Sequence, residues 1–365
     1  MNWLKKLFCS KRGVEPTKKE LIAKMQLNCL SDAQIQKIMD NNHTSEVMVK
    51  AMRQAMNEPD IVFLATHFLP QVTVPETRKH IAVQDIINGV ICGDIIGSKF
   101  EFVTHDYNKA KTMPLPQRKS YHTDDTILTN ATWTAILANP ERPDFRQAYI
   151  DAYHKEPMAE YGSTFVNWAI NGQIFYTDDM TERPRDNTVG YHSCTNGCVM
   201  RIASIPAYYD DLNDVIQHTI ESCMTTHNHV ESVKASIILA TSMWMALHGY
   251  PKQDIYYYCK KYYPMSDDLI YHATQFDMST DLDDIPNTPV RNSLFANYAV
   301  PFVISCFMFT DSYETCMREI LSHYGDADTL CAIAGGLCVA YYGITDMSVE
   351  EILKADMKKQ KHNCA

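Results

Sequence analysis

Two acidic motifs carry the residue types best suited to chemistry in this chain, Thr123-Asp124-Asp125-Thr126 and Gly325-Asp326-Ala327-Asp328-Thr329. Each opens an apolar stretch, and about two hundred residues separate them. Carboxylate and hydroxyl oxygens suit Mg²⁺, Ca²⁺ or Mn²⁺, whereas zinc and copper favour the imidazole and thiolate that neither motif contains. If the motifs meet in space, their four carboxylates carry more charge than one cation offsets, so the pattern calls for a pair of metals. Taken singly, each motif has a simpler reading: helix caps and first-turn acids that satisfy free N–H groups and complement the helix dipole. The duplication favours the metal reading, as do the flanking threonines, whose hydroxyls add neutral oxygen ligands.

Other residues gain meaning only by association. Glu101, after Gly97-Ser98-Lys99-Phe100, is by itself an ordinary surface acid. His227 and His229 read as polar residues ahead of a helix starting near Ser232, and Asn196-Gly197 reads as a turn. Cys194 and Cys198, with His192 nearby, lack the two-residue spacing and the second half of a common structural zinc site, so packing is the better account. The acidic run from Asp277 to Asp284 fails as a calcium loop, because Leu282 stands where Gly is needed and Thr288 where a bidentate Glu is needed.

The elements that must position these groups are helical. Ile127 to Leu137, Val233 to Leu247, Tyr298 to Met308 and Leu330 to Tyr342 are apolar on more than one face, the pattern of buried central helices. Period-two alternation bounded by turns is sparse, which predicts an all-α fold. Gly89, Gly93 and Gly97 recur every fourth residue on one helix face. Each costs about 1 kcal/mol relative to Ala in a helix, so their presence implies close backbone approach to another helix or to a ligand. Apolar spacing from Thr17 to Met56 predicts further helix, and Pro59, Pro70 and Pro75 then punctuate the chain. The expected organisation is a helical N-terminal extension and linker over 1–80, a main domain over 84–345 and a C-terminal tail over 346–365.

Composition bounds the rest. A chain of 365 residues, 45% apolar and 21% charged, can bury a substantial core. Its net charge of −11 argues against bulk binding to nucleic acid or anionic lipid, which relies on Lys and Arg displacing counterions. The twelve Cys are scattered singly through apolar stretches, as expected of reduced thiols in a cytoplasmic protein. No secretory signal is visible, because Lys5 and Lys6 interrupt the first apolar cluster. Trp3, Leu4, Leu7 and Phe8 could touch a membrane surface and Cys9 could be acylated, but a frayed terminal helix is favoured. The longest apolar runs are too short, or too interrupted by charge, to span a bilayer.

In order, Gly93-Asp94-Ile95-Ile96-Gly97 with Glu101, Thr123-Asp124-Asp125-Thr126, Asn196-Gly197 with Met200-Arg201, Thr226-His227, and Gly325-Asp326-Ala327-Asp328-Thr329 before Ala334-Gly335-Gly336 form a recognisable set. It resembles the ADP-ribosylglycohydrolase family, which includes the dinitrogenase reductase-activating glycohydrolases. The resemblance covers about residues 84 to 345. It implies a compact all-α domain with a dinuclear magnesium centre in a cleft, manganese being the alternative. It also implies hydrolysis of the C1″ glycosidic bond of ADP-ribose conjugates, with an ADP-ribosylated protein or small molecule as partner.

By the same resemblance, Thr123, Asp124 and Asp125 match ligands of one metal, Asp326 and Thr329 match ligands of the other, and Asp328 matches the bridge. Glu101 matches the glutamate facing the scissile ribose; Glu101, Asp124, Asp125 and Asp328 are the expected catalytic set. Ser193, Asn196, Gly197 and His227 match positions lining the ADP-ribose cleft. There are departures: Tyr324 stands for a frequent Gly, Ala327 for a frequent Thr, and Cys194-Thr195 for the usual Tyr-Gly, where Thr195 restricts backbone conformations that Gly would allow. The competing reading is a catalytically inactive ADP-ribose-binding protein of the same fold, with a two-metal phosphoesterase behind it. The acceptor group and oligomeric state are not legible.

Overall fold

Helix α1 (Val83–Gly97) is buried from Gly89 onward, and Ile86, Ile87, Val90, Cys92, Ile95 and Ile96 are buried without exposure. Its glycine face meets helix α11 (Ala327–Tyr342), which runs antiparallel to it. A Cβ at Gly93 would stand 2.1 Å from the Cys331 carbonyl oxygen, and one at Gly335 the same distance from the Gly89 carbonyl oxygen. The glycine spacing therefore serves a helix crossing, and that crossing brings the C-terminus of α1 against the N-terminus of α11. The structure is a computed structural model that describes residues 78–103, 110–171, 173–175, 184–186, 190–263, 293–323, 325–343 and 347–356.

Around this pair lie α2 (Asp124–Ala138), α3 (Phe145–Lys155), α4 (Ser163–Asn171), the short α5 (Ser204–Tyr208), α6 (Leu212–Met224) and α7 (Val230–Leu247). They are followed by α8 (Lys252–Lys260), α9 (Ala296–Met308), α10 (Tyr313–Leu321) and, beyond α11, α12 (Val349–Ala355). The four stretches expected to be central helices are α2, α7, α9 and α11. The all-α expectation holds, apart from an antiparallel two-stranded ribbon of Gln173–Phe175 against Pro184–Asp186 among the described residues. Helix α7 has the length and composition of a membrane span, but 83% of it is buried inside the fold. It touches α5, α6, α8, α9 and α11, so neighbouring helices take the place of lipid.

Residues 347–356, read from sequence as the start of a tail, include α12. That helix packs on α1 with Ile352 buried. Residues 1–77 of the N-terminal extension, with its membrane-contact candidates, and the acidic run Asp277 to Asp284 lie outside the described residues, as does Tyr324.

Candidate metal and ADP-ribose site

Asp94 sits fully buried in the last turns of α1 and organises the first motif. Its carboxylate accepts from the backbone N–H of Thr123 at 2.9 Å and of Thr126 at 3.1 Å, and from both threonine hydroxyls. These are donors at the start of α2, so one acid of α1 satisfies the helix end that Asp124 or Asp125 would otherwise cap. The N-cap is Thr123, whose hydroxyl oxygen accepts from the Asp125 N–H. Thr126 is turned toward Asp94 and away from the cleft. Asp124 and Asp125 are thereby released from capping.

The second motif behaves likewise. Asp326 is the N-cap residue of α11, yet its side chain makes no cap bond and instead accepts from Asn196 Nδ2 at 2.6 Å. Thr329 donates its hydroxyl to Asp125 Oδ2 at 3.2 Å, a direct link between motifs 204 positions apart. Glu101, Asp326 and Asp328 each offer a carboxylate oxygen, and the three oxygens lie within 4.8 Å of one another. Glu101 is set by the turn after α1, where the Phe102 N–H donates to the Gly325 carbonyl at 2.9 Å.

This gathering of acids is electrostatically unfavourable without a counter-charge. Burial, reinforced by Asp328 and Asp94, pushes the Asp124 and Asp125 carboxyls well up, and burial with Asp326 does the same to Asp328. Asp326 rises to about 6, chiefly from burial, with hydrogen bonds from Asp328 and Asn196 opposing. Glu101 is pushed up to about 8 by burial, then by Asp328, Glu160 and Asp94. Asp125 Oδ1 and Asp328 Oδ1 are buried and have no hydrogen-bond partner among the described residues. Buried carboxylate oxygens ordinarily find a donor, and an all-oxygen set of this kind fits hard divalent cations.

Next to the acids runs a half-open cleft of about 320 Å³, at the lower end of the usual range for ligand sites. Ser193, Asn196, Gly197 and His227 line it together with Glu101, Asp124, Asp125, Asp326, Asp328 and Thr329. The buried His227 bonds Thr226 Oγ1 through Nδ1 at 2.8 Å and Thr195 Oγ1 through Nε2 at 3.0 Å. Burial and the nearby Arg201 cation hold it well below the usual histidine range, hence neutral. Its ring lies 5.4 Å from that of Tyr191. Gly197 presses against it: a Cβ there would come within 3.1 Å of Cε1 and Nε2. Arg201 caps the end of α6 by donating to the Ser222 carbonyl and the Thr226 hydroxyl, and stacks on Tyr149, which fixes the segment leading to His227.

A family model described as ADP-ribosylglycohydrolase matches residues 76–359. The chain belongs to the ADP-ribosylglycohydrolase family. It is similar to chicken ADP-ribosylhydrolase ARH3, 26% identical over 286 residues that cover 66% of this chain and 76% of that protein. The human ARH3 protein is 24% identical over 311 residues, covering 70% and 84% respectively. A 59-residue segment is 36% identical to the ADP-ribosyl-[dinitrogen reductase] glycohydrolase of Rhodospirillum rubrum, covering 16% and 20%. Among solved structures, an ADP-ribosylglycohydrolase-related protein complex shares the fold at a TM-score of 0.54 and 20% identity, covering 76% of this chain and 93% of that one.

Within this ADP-ribosylglycohydrolase domain, every sequence-selected site residue lies at one cleft or in its wall. Thr123 lies behind the carboxylates, its hydroxyl shared between Asp94 and Asp125. Thr195 has φ −77° and ψ 172°, extended backbone open to any residue. Its replacement of Gly is therefore unstrained, and its hydroxyl supplies a bond to His227. Cys198 is buried, hydrogen-bonded to the Thr195 carbonyl and to Ser236, in keeping with packing. Three contributors were missed in the sequence. Asp94 stands in Gly93-Asp94-Ile95-Ile96-Gly97 without a role legible from spacing, although an acid inside an apolar helix is a usable signal. Ser293, which holds the Asp326 N–H, and Glu160, which lines the cleft, carry no such signal.

Proposed function

We propose that this enzyme is a metal-dependent hydrolase that cleaves the C1″ bond of ADP-ribose conjugates and so reverses ADP-ribosylation. The observation that carries this reading is the meeting of the two acidic motifs with Glu101 at one end of the cleft, two carboxylate oxygens there being buried without a donor. Asp124 and Asp125 with Thr123 would hold one Mg²⁺, Asp326 and Thr329 a second, and Asp328 both; Mn²⁺ suits the same oxygens. When bound, the cations supply positive charge that offsets the acids, grips ribose hydroxyls and makes water more acidic.

The chain's own groups do the rest. The loop from Ser193 to Gly197, with His227, binds and orients the ADP-ribose body, neutral His227 presenting an uncharged face to it. Bond breaking proceeds toward an oxocarbenium-like state, so carboxylates set around the ribose stabilise developing positive charge. Glu101, whose carboxylate oxygen lies within 4.8 Å of one from each of Asp326 and Asp328, is the side chain assigned to exchange a proton at the scissile bond. A cleft that only bound ADP-ribose would not need this full set of acids. The thiols support a cytoplasmic location, since the nine cysteines among the described residues are all free. The test is release of ADP-ribose from defined conjugates: activity lost on chelation and restored by Mg²⁺ or Mn²⁺ supports the reading, and full activity after exhaustive chelation removes the metal from it.

A further inference from the structure

His122 immediately precedes the first metal motif, and it is gripped by a residue 234 positions away. Its Nδ1 lies 2.6 Å from Asp356 Oδ2, and its backbone N–H donates to Asp356 Oδ1 at 3.4 Å. Asp356 is fully buried at the C-terminal end of α12, and His122 is 6% exposed. The far side of the ring, Nε2, faces Glu156 Oε2 at the end of α3, 3.3 Å away. The next residue, Thr123, is held by Asp94 of α1, and α12 packs on that same helix. Two acids on two packed helices thus clamp consecutive residues of the segment that delivers Asp124 and Asp125.

We propose that Asp356 is a positioning residue of the metal site, fixing His122 and through it the Thr123-Asp124-Asp125 motif where its oxygens can share cations with Asp328. A buried carboxylate is a costly way to hold a terminal helix, which Ile352 already anchors by apolar contact; what it adds is direction. Mg²⁺ demands near-ideal octahedral geometry, so ligand placement translates steeply into affinity. Groups that orient metal ligands typically change metal affinity about 10–100-fold when removed.

The inference rests on the two-cation reading, and Mn²⁺ titration of the full-length chain tests both separately. Asp356→Ala should weaken Mn²⁺ binding about 10–100-fold, and Asp356→Asn, which keeps an oxygen to accept the Nδ1–H, should restore part of it. His122→Ala should match Asp356→Ala, and the double variant should be no weaker than either single one. Ile352→Val is the control for loosening α12 alone: it should lower the melting temperature and leave Mn²⁺ affinity unchanged. Should Asp356→Ala not fold, Asp356→Asn and His122→Ala decide. Wild-type affinity in the folded variants, or an equal loss in Ile352→Val, overturns the positioning role. Absence of Mn²⁺ binding by the wild-type chain overturns the two-cation reading together with it.

Discussion

Gly97→Ala puts a methyl group 2.4 Å from the Ala327 carbonyl oxygen and 2.5 Å from Asp328 Cα. Both neighbours are backbone, so no side chain can swing aside, and restoring an ordinary 3.4 Å contact takes about 1 Å of helix separation. That separation falls on the residue assigned to both cations. A misplacement of about 1 Å can cost on the order of 100-fold in rate, or about 2.7 kcal/mol of transition-state stabilisation. Gly89→Ala is the matched control. Its methyl group meets Val339 Cγ2 at 2.6 Å and the Gly335 carbonyl oxygen at 2.7 Å, at the other end of the same crossing. Eight residues of helix place it about 12 Å from Gly97.

Both variants gain up to about 1 kcal/mol of helix propensity and lose about 1–3 kcal/mol to overpacking, so their stabilities should be similar. Only Gly97→Ala should lose about 100-fold in kcat/KM, with weakened Mn²⁺ binding. Melting temperature, Mn²⁺ titration and steady-state rates on the pair give the answer. Equal losses of activity in both variants, or native activity in Gly97→Ala, would refute the claim that this crossing sets the site.

Asp328→Asn should abolish activity and weaken Mn²⁺ binding more than Glu101→Gln does, since only Asp328 is assigned to both cations; the reverse order in a titration would reassign the bridge. Mg²⁺ at 100 times its dissociation constant should stabilise the metal-free protein by about 2.7 kcal/mol for each cation bound, seen as a raised melting temperature that Asp328→Asn lacks. His227 is held neutral in the fold, whereas the unfolded chain takes up its proton near pH 6.5. Stability should therefore fall as pH drops below about 6.5, by at most about 1.4 kcal/mol per pH unit from this group. Denaturant unfolding at pH 7 and pH 5 should show a smaller difference in His227→Gln, and an unchanged difference would contradict neutral burial.

Much of the scaffold was legible because the central helices advertise themselves. The stretches now seen as α2, α7, α9 and α11 are apolar on more than one face, and glycines at every fourth residue of α1 pointed to close approach. What no local pattern could say was that Gly97 meets Ala327, since pairing of distant helices is set by packing. The acidic motifs were readable by type and duplication, yet capping was the favoured account of each alone. Asp94 decides against capping by satisfying the α2 terminus itself, and that bond joins residues 29 positions apart. The grip of Asp356 on His122 was out of reach for the same reason, since it joins residues 234 positions apart.

The most direct test of the account is release of ADP-ribose, measured by mass spectrometry, from arginine-linked, serine-linked and nucleic-acid-linked conjugates with and without Mg²⁺, with Asp328→Asn as control. Magnesium-dependent release from at least one conjugate by the wild-type chain, and from none by the variant, is the predicted result. No release from any conjugate by a chain that still binds ADP-ribose tightly would contradict it and mark the cleft as a site of recognition without turnover.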